Sequence, residues 1–389
     1  MRILVLHNRY QQAGGEDSAV AEEIAMLKRH EHAVDYLGFD NESIRGVKEK
    51  ALAAAHAFYS FRSARAVAAR IDAFRPDVMH VHNFLATMSP SVFFVARKNH
   101  IPIVLTLHNY RLICATALLF RDGHPCEECV TRHSFLPGVR HACYRSSPLG
   151  SAVVGGSIAL HSILGTWRNR VDRYIALSEF EAAKIAGSRI PSDRIRVKPN
   201  FVSSSLEGTG GGGFALFAGR LSPEKGLQTL IEADAENLLP MPVHIAGDGP
   251  MRVALQQASS RKESRLHLLG VKPRGELQAL MRKATVLVVP SIWHETFGMV
   301  CAEAFAAGLP ILASSIGGLP EIVEDGVTGR LFPPGDRTAL AGALGLFEDG
   351  SDEMQNMRRA ARRKFETHYS EECNYGMQMQ IYEELIHRG

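Results

Sequence analysis

The 389-residue sequence has no long uninterrupted apolar run. Its longest apolar stretch, LGSAVVGGSIALHSILG at 149–165, contains four glycines, three serines and a histidine. A membrane span needs about 20 mainly apolar residues, so this stretch predicts a buried helix, with a membrane-contacting helix as the alternative. The opening MRILVLHNRY has too short an apolar run for a signal peptide. We therefore expect a cytoplasmic protein. If the stretch at 149–165 is a membrane-contacting helix, we expect the protein at the inner face of the membrane.

The charge is unevenly distributed along the chain. Residues 1–200 carry 26 basic and 18 acidic residues, a net charge of +8, and the remainder carries 18 and 23, a net charge of −5. A basic first half points to an anionic partner such as lipid headgroups, a phosphorylated acceptor or nucleic acid. A solvated basic surface explains the same excess equally well.

Short apolar runs alternate with amphipathic stretches in both halves of the sequence. RILVLHN, VMHVHN and IPIVLTLHN are typical of strands in the first half, and FALFAG, MPVHIAG and ATVLVVPS are typical of strands in the second. In RYIALSEFEAAKIA a strand enters a helix, where Ser178 and Glu181 form a capping-box pattern. Such alternation predicts an α/β protein with two doubly wound, Rossmann-like parallel-sheet domains, which place ligands at the carboxyl ends of their strands.

Pro, Ser and Gly dominate from Pro199 to Gly213 and mark a linker. The predicted organisation is an N-terminal domain at 1–200, a linker at 201–213, a C-terminal domain at 214–369 and a terminal helix at 370–389 packing back on the N-terminal domain. The four glycines before FALFAG precede a strand, whereas a dinucleotide fingerprint requires them after one. They therefore do not indicate a dinucleotide cofactor.

The second half contains charged residues in loops that follow predicted strands. Arg220 and Lys225 follow FALFAG, and two cations at a strand's carboxyl end can neutralise a diphosphate. Glu295 and Glu303 stand eight residues apart around the start of a predicted helix, whose free N–H groups suit a phosphate. A wholly helical interval would separate the two carboxylates by about 12 Å, which is the scale of a nucleotide sugar. Solvated surface residues explain each feature taken alone.

These motifs together resemble the retaining glycosyltransferases of family 4. The resemblance rests on GRLSPEKG, AGDGP, LLGVKP, the E-x7-E pair and GGLPEIVEDGVTGRLFPPGD in the second half. The first half resembles bacterial members that assemble polysaccharides and other glycoconjugates, in GGED, HVHN, TLHNYRLIC, IALSEF and VKPNFV. The resemblance implies a GT-B fold, in which the two domains face a cleft and the C-terminal helix crosses back.

The resemblance also implies roles for individual residues. It assigns the diphosphate to Arg220 and Lys225, the ribose to Glu303 and the transferred sugar to Glu295. The donor-binding set is Gly14, Gly15, Arg220, Lys225, Val271, Glu295, Phe297, Gly298, Met299 and Glu303, and the catalytic set is His108, Glu295, Arg220 and Lys225. A buried polar residue at a strand end is the alternative for His108.

We predict an enzyme that moves a hexose from a nucleotide-diphosphate sugar to a glycan or lipid-linked acceptor with retention. A UDP-sugar is favoured and GDP-mannose is next. No two aspartates lie two residues apart, so the Asp-x-Asp metal site of other sugar transferases is absent. Arg220 and Lys225 would then stabilise the leaving group without a metal cofactor. The rivals are a GT-B sugar-nucleotide epimerase and a catalytically silent nucleotide-sugar-binding partner, and no nucleic-acid partner is expected.

Four of the six cysteines cluster in the loop at 114–143, on the acceptor side of the expected cleft. Cys126 and Cys129 form a C-x2-C pair between Cys114 and Cys143. Such a set can hold a structural zinc ion, with free thiols and disulfides or a redox switch as the alternatives. Three histidines in or beside this loop are substitute ligands: His124, His133 and His141.

The stretch FYSFRSARAVAARIDAFRPD predicts a basic amphipathic helix. Phe58, Phe61, Ala68 and Ile71 lie near one stripe, and Arg62, Arg65 and Arg70 lie around it. Basic amphipathic helices bind anionic membrane surfaces, and ordinary surface helices have the same pattern. A peripheral contact with an anionic membrane is therefore a hypothesis for this segment.

Overall fold

The computed structural model describes the whole chain except residues 10–13, 41–45, 86, 189, 204–206, 348–349 and 387–389. The chain forms two compact units. The first contains Met1–Leu119, Cys126–Pro199 and Asn374–Gly389, and the second contains Phe120–Pro125 and Asn200–Cys373. Part of the predicted linker at 201–213 and the last residues of the predicted terminal helix lie outside the described residues.

The first unit is built on a six-stranded sheet in the order β2-β1-β3-β4-β7-β8. Its strands are β1 (Arg2–Arg9), β2 (Ala33–Asp40), β3 (Val78–Asn83), β4 (Ile103–Thr106), β7 (Arg173–Ala176) and β8 (Ile195–Val197). Two short strands, β5 (Phe120–Arg121) and β6 (His124–Pro125), form a separate antiparallel hairpin whose residues are grouped with the second unit. Every strand pair of the six-stranded sheet is parallel. β3, β4 and β7 are buried along almost their whole length, as expected for a parallel sheet covered on both faces.

Helices connect the strands of the first unit. They are α1 (Gly15–Arg29), α2 (Val47–Phe58), α3 (Phe61–Phe74), α4 (Ser91–Lys98), α5 (Glu128–Thr131), α6 (Leu136–Arg140), α7 (Pro148–Ile163), α8 (Thr166–Asn169) and α9 (Glu179–Ala186). The capping box predicted at α9 forms only in part. Ser178 accepts a hydrogen bond from the N–H of Glu181, but the Glu181 carboxylate accepts one from the N–H of Leu177 rather than of Ser178.

The apolar stretch at 149–165 forms α7, which buries one face rather than its whole circumference. Val154, Ile158 and His161 are buried, whereas Leu149 and Ile163 are 76% and 74% exposed. The prediction of a buried helix therefore holds for one side only. Among the described residues, no helix combines the length and the apolar composition that crossing a membrane requires.

The second unit contains a six-stranded sheet in the order β11-β10-β9-β12-β13-β14. Its strands are β9 (Ala215–Ala218), β10 (Val243–Ala246), β11 (Leu266–Gly270), β12 (Val286–Val289), β13 (Ile311–Ser314) and β14 (Gly329–Phe332). Its helices are α10 (Leu227–Ala235), α11 (Arg252–Ser259), α12 (Arg274–Lys283), α13 (Met299–Ala306), α14 (Leu319–Ile322), α15 (Arg337–Leu344) and α16 (Asp352–Lys364). All of its strand pairs are parallel. Strand and helix side chains such as Phe217, Leu230, Ile245 and Leu340 form one apolar core.

The last helix, α17 (Glu371–Ile386), ends the described chain. Its residues from Asn374 onward belong to the first unit. Within that unit, the Asn374 amide donates a hydrogen bond to the carbonyl of Pro199, and the Tyr382 hydroxyl lies 2.7 Å from His80 Nδ1. The two parallel sheets and the terminal helix confirm the predicted α/β class with two doubly wound domains.

Candidate functional site

The loops at the carboxyl ends of β9, β10, β12 and β13 pack closely against one another at glycine residues. A Cβ atom on Gly247, in the AGDGP turn after β10, would lie 1.9 Å from the carbonyl oxygen of Gly219. A Cβ atom on Gly317 would lie 2.6 Å from the backbone nitrogen of Glu295. Both glycines also have positive φ angles, which larger residues rarely adopt. The glycine positions therefore let four loops approach one another at the edge of the sheet where doubly wound folds bind ligands.

These closely packed loops contain an ion pair between Lys225 and Glu295. Lys225 ends a short 3₁₀ turn after β9, and its Nζ lies 2.6 Å from Glu295 Oε1. The Ser291 hydroxyl donates to the same carboxylate oxygen at 2.8 Å. The Trp293 ring lies 5.3 Å from Lys225 Nζ, within the range of a cation–π contact. Two residues predicted to act on different parts of the donor are therefore in direct contact in this structure.

The pair is accessible mainly from the lysine side. Glu295 is only 4% exposed, whereas the Lys225 side chain is 26% exposed. A carboxylate that is buried and charge-paired is held in one orientation. An incoming anion would therefore meet the lysine, while the buried carboxylate keeps the lysine in place.

The second predicted carboxylate, Glu303, lies one turn inside α13. That helix begins at Met299 and follows Gly298, which has a positive φ angle. This is the helix start that the sequence predicted, and because residues 295–298 are not helical, the spacing of about 12 Å for a wholly helical interval does not apply. Glu303 is half-buried, and it lies on the helix whose N-terminus points its N–H groups toward the loops.

The other predicted donor residues of the second unit occupy different environments. Arg220 is exposed and follows Gly219 directly after β9. Val271 is 71% exposed after β11. Phe297 is buried, and its ring packs edge-on to that of Tyr369 at 5.5 Å. Phe297 can therefore serve a ligand only through its backbone.

In the first unit, the predicted glycines lie at the start of α1. Gly14 precedes the helix, and its N–H donates to the Asp17 carboxylate at 3.0 Å. Asp17 also lies 2.8 Å from Nε2 of the buried His7, at the carboxyl end of β1. Asp17 therefore links the exposed Gly14 to a buried residue of the sheet, His7. Burial lowers the pKa of His7, while the hydrogen bond to Asp17 opposes that shift.

His108 follows β4 at the same end of the sheet and contacts a second histidine. Its Nε2 lies 3.1 Å from Nδ1 of the buried His82 in β3, and the two rings stack at 5.3 Å. Burial and the neighbouring His82 lower the pKa of His108 well below its usual value. Its chain neighbour Asn109 reaches Glu16 of α1 at 3.5 Å. The structure thus brings His108 and the segment of Gly14 and Gly15 to one edge of the sheet.

Beneath His108 lies a buried charged group centred on Glu23 of α1. Its Oε1 lies 2.9 Å from His80 Nδ1 and 3.3 Å from His82 Nε2, and its Oε2 lies 3.3 Å from Lys198 Nζ. Lys198 also donates to Asn374 of α17 at 2.9 Å. We call Glu23, His80, His82 and Lys198 the buried charged cluster, because each is at most 5% exposed.

Glu23, His82 and Lys198 of the buried charged cluster have shifted pKa values. Burial alone would raise the pKa of Glu23, but the charges of His80 and Lys198 hold it well below its usual value. Burial lowers the pKa of Lys198, and Glu23 opposes that shift. Burial and His80 lower the pKa of His82 to about 4. The arrangement therefore describes a lysine–glutamate ion pair beside a neutral His82.

Three members of this cluster have the chemistry of metal ligands. One ligand atom each from Glu23, His80 and His82 lie within 4.8 Å of one another, and within the described part of the chain this is the only such group. Two imidazoles and a carboxylate are a donor set used by zinc. The Lys198 ammonium already neutralises the carboxylate, however, and a second cation beside it would be repelled.

The four clustered cysteines lie in one region of the first unit as reduced thiols. Burial, together with the neighbouring Cys114, Cys143 and Cys126, raises the pKa of Cys129 to about 11. Their sulfur atoms do not form a group within 4.8 Å among the described residues. Of the predicted substitute ligands, His124 and His133 are exposed, and His141 lies 3.6 Å from Glu128. The zinc hypothesis stays a prediction.

Sequence reasoning missed Glu23 and Lys198 as members of a site, and it quoted His80 and His82 only within a motif. The period of two in HVHN could have placed both histidines on one face of β3. Nothing local marks Glu23 or Lys198, which reach the cluster from α1 and from the residue after β8. Ser291 and Trp293 likewise stand next to the E-x7-E pair without a signal of their own.

Two family models match adjacent parts of the chain. The model described as Glycosyltransferase Family 4 matches residues 13–206. The model described as Glycosyl transferases group 1 matches residues 205–364. Together they cover both compact units almost completely.

Known proteins are similar to the chain over part or all of its length. It is 38% identical over 161 residues to the D-inositol 3-phosphate glycosyltransferase of Streptomyces scabiei, a match that covers 38% of this chain and 36% of the relative. The matches to curated relatives span between 34% and 51% of their lengths.

Solved structures match the whole chain at low sequence identity. Sucrose-phosphate synthase from Thermosynechococcus elongatus has a TM-score of 0.70 at 18% identity and covers 100% of both chains. Anabaena HepE in complex with UDP-glucose has a TM-score of 0.66 at 18% identity and covers 99% of both chains. Such similarity shows the fold alone, and it is the predicted GT-B fold.

Proposed function

The chain belongs to family 4 of the glycosyltransferases, and we propose that it transfers a hexose from a nucleotide-diphosphate sugar with retention. The acceptor would be a glycan or a lipid-linked glycan in the assembly of a polysaccharide or glycoconjugate. The observation that carries the proposal is the Lys225–Glu295 ion pair at 2.6 Å. It stands on two loops at the carboxyl ends of neighbouring strands, where sheets of this type bind nucleotides.

The charges in the second unit suit the departure of a nucleoside diphosphate. Cleavage of the bond between sugar and diphosphate builds negative charge on the leaving oxygen, and a fixed cation stabilises that charge. Lys225 is held by Glu295 and Trp293, and Arg220 adds a second cation after β9. A diphosphate would bind on the exposed side of Lys225, while Glu295 keeps this cation in place and accepts a hydrogen bond from a hydroxyl of the transferred sugar.

We propose that these two cations act without a metal cofactor. The support is the chemistry of the donor set, since Arg220 and Lys225 supply the positive charge that a divalent ion supplies elsewhere. The sequence contains no Asp-x-Asp pair to hold such an ion. We expect activity to persist in EDTA.

A UDP-sugar is the favoured donor, with GDP-mannose next. HepE, a structural neighbour over the full length, was solved with UDP-glucose. The ribose of either donor would meet Glu303, whose carboxylate can accept hydrogen bonds from the two ribose hydroxyls. The base would meet the segment around the exposed Val271. We propose the same ribose contact for both donors, so base choice depends on that segment.

We propose that the first unit binds the acceptor and contacts an anionic membrane peripherally. Its surface combines exposed apolar side chains with arginines. On α3, Phe61 is 72% exposed beside the exposed Arg62 and Arg65, and α7 exposes Leu149 and Ile163. Apolar anchors beside basic side chains are typical of helices that lie on anionic lipid surfaces. A lipid-linked acceptor would be reached from such a position, at the inner face of the membrane.

A product assay separates transfer from the rival activities. The protein is incubated with each UDP-sugar and with GDP-mannose in EDTA, together with a glycan and lipid-linked glycan extract. Transfer predicts nucleoside diphosphate released in proportion to a glycosylated product detected by mass spectrometry. An epimerase would change the sugar without that proportion, and a silent partner would bind the donor and release nothing. Either of these two outcomes contradicts the proposal.

A further inference from the structure

We propose that a cavity in the first unit binds the alkyl chain of the acceptor, which makes the acceptor a lipid-linked glycan rather than a free one. The cavity has a volume of about 230 Å³, and its lining comes from four segments, within 112–113, 129–135, 159–167 and 187–190, that all belong to the first unit. The inference rests on the proposed function for the identity of the acceptor, whereas the binding of an alkyl chain is a property of the free protein.

The lining of the cavity is mainly apolar. Its apolar members include Leu112, Ile113, Phe135 and Trp167, and among the described residues no Asp, Glu, Lys or Arg lines it. Because burial of a charge without a partner is costly, a phosphate or a nucleotide does not suit this lining, whereas an alkyl chain does. An apolar cavity of about 150 Å³ takes up one benzene molecule, so this cavity has room for about nine carbon atoms.

Two serines of the lining already have partners within the protein. The Ser188 hydroxyl donates a hydrogen bond to the carbonyl oxygen of Ile185, and the Ser134 hydroxyl oxygen accepts one from the N–H of Leu136. Polar groups that are paired in this way do not require a polar ligand. The apolar side chains are therefore the main surface that the cavity offers to a ligand.

The mouth of the cavity is apolar and lies next to an exposed cation. Ile163 lines the cavity and is 74% exposed, and its chain neighbour Leu164 is 53% exposed. The exposed Arg168 directly follows the lining residue Trp167 in the sequence. Exposed apolar side chains beside a cation match a ligand that has both an alkyl chain and an anionic head. A glycan that is linked to a lipid through phosphate has both parts.

The cavity lies close to the sheet edge that holds His108. Leu112, in the lining, stands four residues after His108, so their Cα atoms are at most about 14 Å apart. His108 follows β4 at the carboxyl end of the sheet, where folds of this type bind ligands. An alkyl chain held beside Leu112 would therefore keep the head of the acceptor near that edge, which lowers the entropic cost of presenting its sugar for transfer.

Binding of alkyl maltosides tests the cavity without any turnover. The series from butyl to dodecyl maltoside, each below its micelle concentration, is titrated calorimetrically into the unaltered protein. We expect the affinity to rise about fourfold with each added methylene, the equivalent of about 0.8 kcal/mol. The rise should level off at roughly nine carbons, where the cavity is full. An affinity that is independent of chain length, or that rises without levelling off, would overturn the proposal.

Two variants test whether the chain binds in this cavity. Ile163→Glu places a carboxylate at the mouth, and it spares the core because Ile163 is exposed. Ala159→Phe fills the cavity from α7. Each variant should weaken the binding of decyl maltoside on the order of tenfold, because about two methylenes lose their burial. Val253→Glu, at an exposed residue of α11 in the second unit, is the matched control. If both cavity variants bind the maltoside as well as this control does, the chain binds elsewhere and the proposal fails.

Vesicles separate the acceptor from the lipids of the membrane itself. Vesicles rich in phosphatidylserine and without any lipid-linked glycan should bind Ala159→Phe as they bind the unaltered protein, because the lipids of a bilayer stay within it. A loss of vesicle binding on the order of tenfold in this variant would mean that the cavity holds a chain of a membrane lipid. That result would contradict the assignment to the acceptor.

Transfer assays use the lipid-linked glycan extract and the same glycans released from their lipid. We expect the unaltered protein to prefer the lipid-linked glycans, and the ratio of the two rates to fall on the order of tenfold in Ile163→Glu but not in Val253→Glu. Equal transfer to both acceptors by the unaltered protein would refute the role of the chain. No transfer to either would count against the proposed function, and the maltoside series would still decide whether the cavity binds an alkyl chain.

Discussion

The carboxyl ends of the two sheets hold charge in different ways. In the second unit, charged side chains stand on loops, and the Lys225 member of its ion pair is partly exposed. In the first unit, the charge lies on strand and helix faces, and all four members of the buried charged cluster are nearly inaccessible. An exposed cation can meet an anionic ligand, whereas a buried pair can only act on its neighbours. We therefore propose that the exposed charge of the second unit binds a ligand directly and that the buried charge of the first unit acts only on its neighbours.

The largest expected effect is the loss of one partner from the buried pair. Lys198→Met alone leaves Glu23 buried without its cation, and such changes cost about 3–5 kcal/mol of unfolding free energy. Chemical denaturation of the variant measures it. Adding Glu23→Gln should recover much of the loss. If Lys198→Met costs no more than Lys272→Met, which breaks the more exposed Lys272–Glu276 pair, the distinction between buried and exposed charge fails.

Lys225→Met tests the exposed side of the comparison. Removing the cation that faces the leaving group should lower kcat about 10²–10³-fold, which is typical for the loss of one stabilising donor. Steady-state kinetics with the identified donor measure the effect, and Lys262→Met, at an exposed lysine of the second unit, is the control of the same charge change. A variant with unchanged kcat and a raised KM alone would show that Lys225 only binds the ground state.

Glu181→Gln compares two buried glutamates of the first unit, one paired with a lysine and one not. Burial raises the pKa of Glu181 to about 8 from an ordinary 4.5. The folded protein thus holds this carboxyl protonated, and the unfolded chain releases the proton above pH 4.5. Stability from this group is full below pH 4.5 and is lost as the pH rises to about 8.

The expected result of Glu181→Gln is a gain of about 1–3 kcal/mol in unfolding free energy at pH 8, because an amide cannot ionise. Denaturation at pH 5 and pH 8 measures it, and the gain should be smaller at pH 5. An equal change at both pH values would mean that Glu181 does not titrate in this range.

Glu295→Ala and Glu303→Ala sharpen the comparison within the second unit. Glu303→Ala should mainly weaken donor binding, by about tenfold, because ribose contacts persist in the ground and transition states. Glu295→Ala should lower kcat as well, because the sugar that it contacts changes charge during the reaction. Donor titrations and kcat values separate the two. Equal, purely binding defects would contradict both roles.

The smallest expected effect concerns the membrane surface of the first unit. Arg62→Gln with Arg65→Gln should weaken binding to anionic vesicles by about 1 kcal/mol for each arginine. Flotation with vesicles rich in phosphatidylserine at low salt measures it, and the exposed Arg359→Gln with Arg363→Gln on the second unit is the control. No binding of the unaltered protein at low salt would remove the membrane hypothesis.

The sequence could place the charged residues of the second unit near one another because they lie on short contiguous loops. GRLSPEKG and HETFG each place a charged residue directly after an apolar strand, so parallel topology alone brings Lys225 and Glu295 to one edge. In the first unit, the sequence predicted the strands but not the buried charged cluster. Glu23, His80 and Lys198 meet from three elements, and Asn374 joins them from the terminal helix. Local patterns carry no information on such distant contacts.

Details that depend on local packing also escaped the sequence. The exposed face of α7 was not expected, since its glycines and serines lower the hydrophobic contrast between its two sides. The neighbouring helices decide which side of α7 is buried, and the composition of the stretch alone does not specify those neighbours. The start of α13 at Met299, in contrast, is the one that the sequence predicted.

The most direct test of the central claim is a thermal-shift screen of the unaltered protein in EDTA. UDP, GDP, ADP, CMP and their common sugar conjugates are added in turn, because a ligand that binds the native state raises Tm with its concentration and affinity. We expect a shift with one base family, UDP first, that is lost in Lys225→Met and kept in the variant of an exposed lysine, Lys262→Met. No shift with any nucleotide in a folded sample would contradict a donor site built on Lys225 and Glu295.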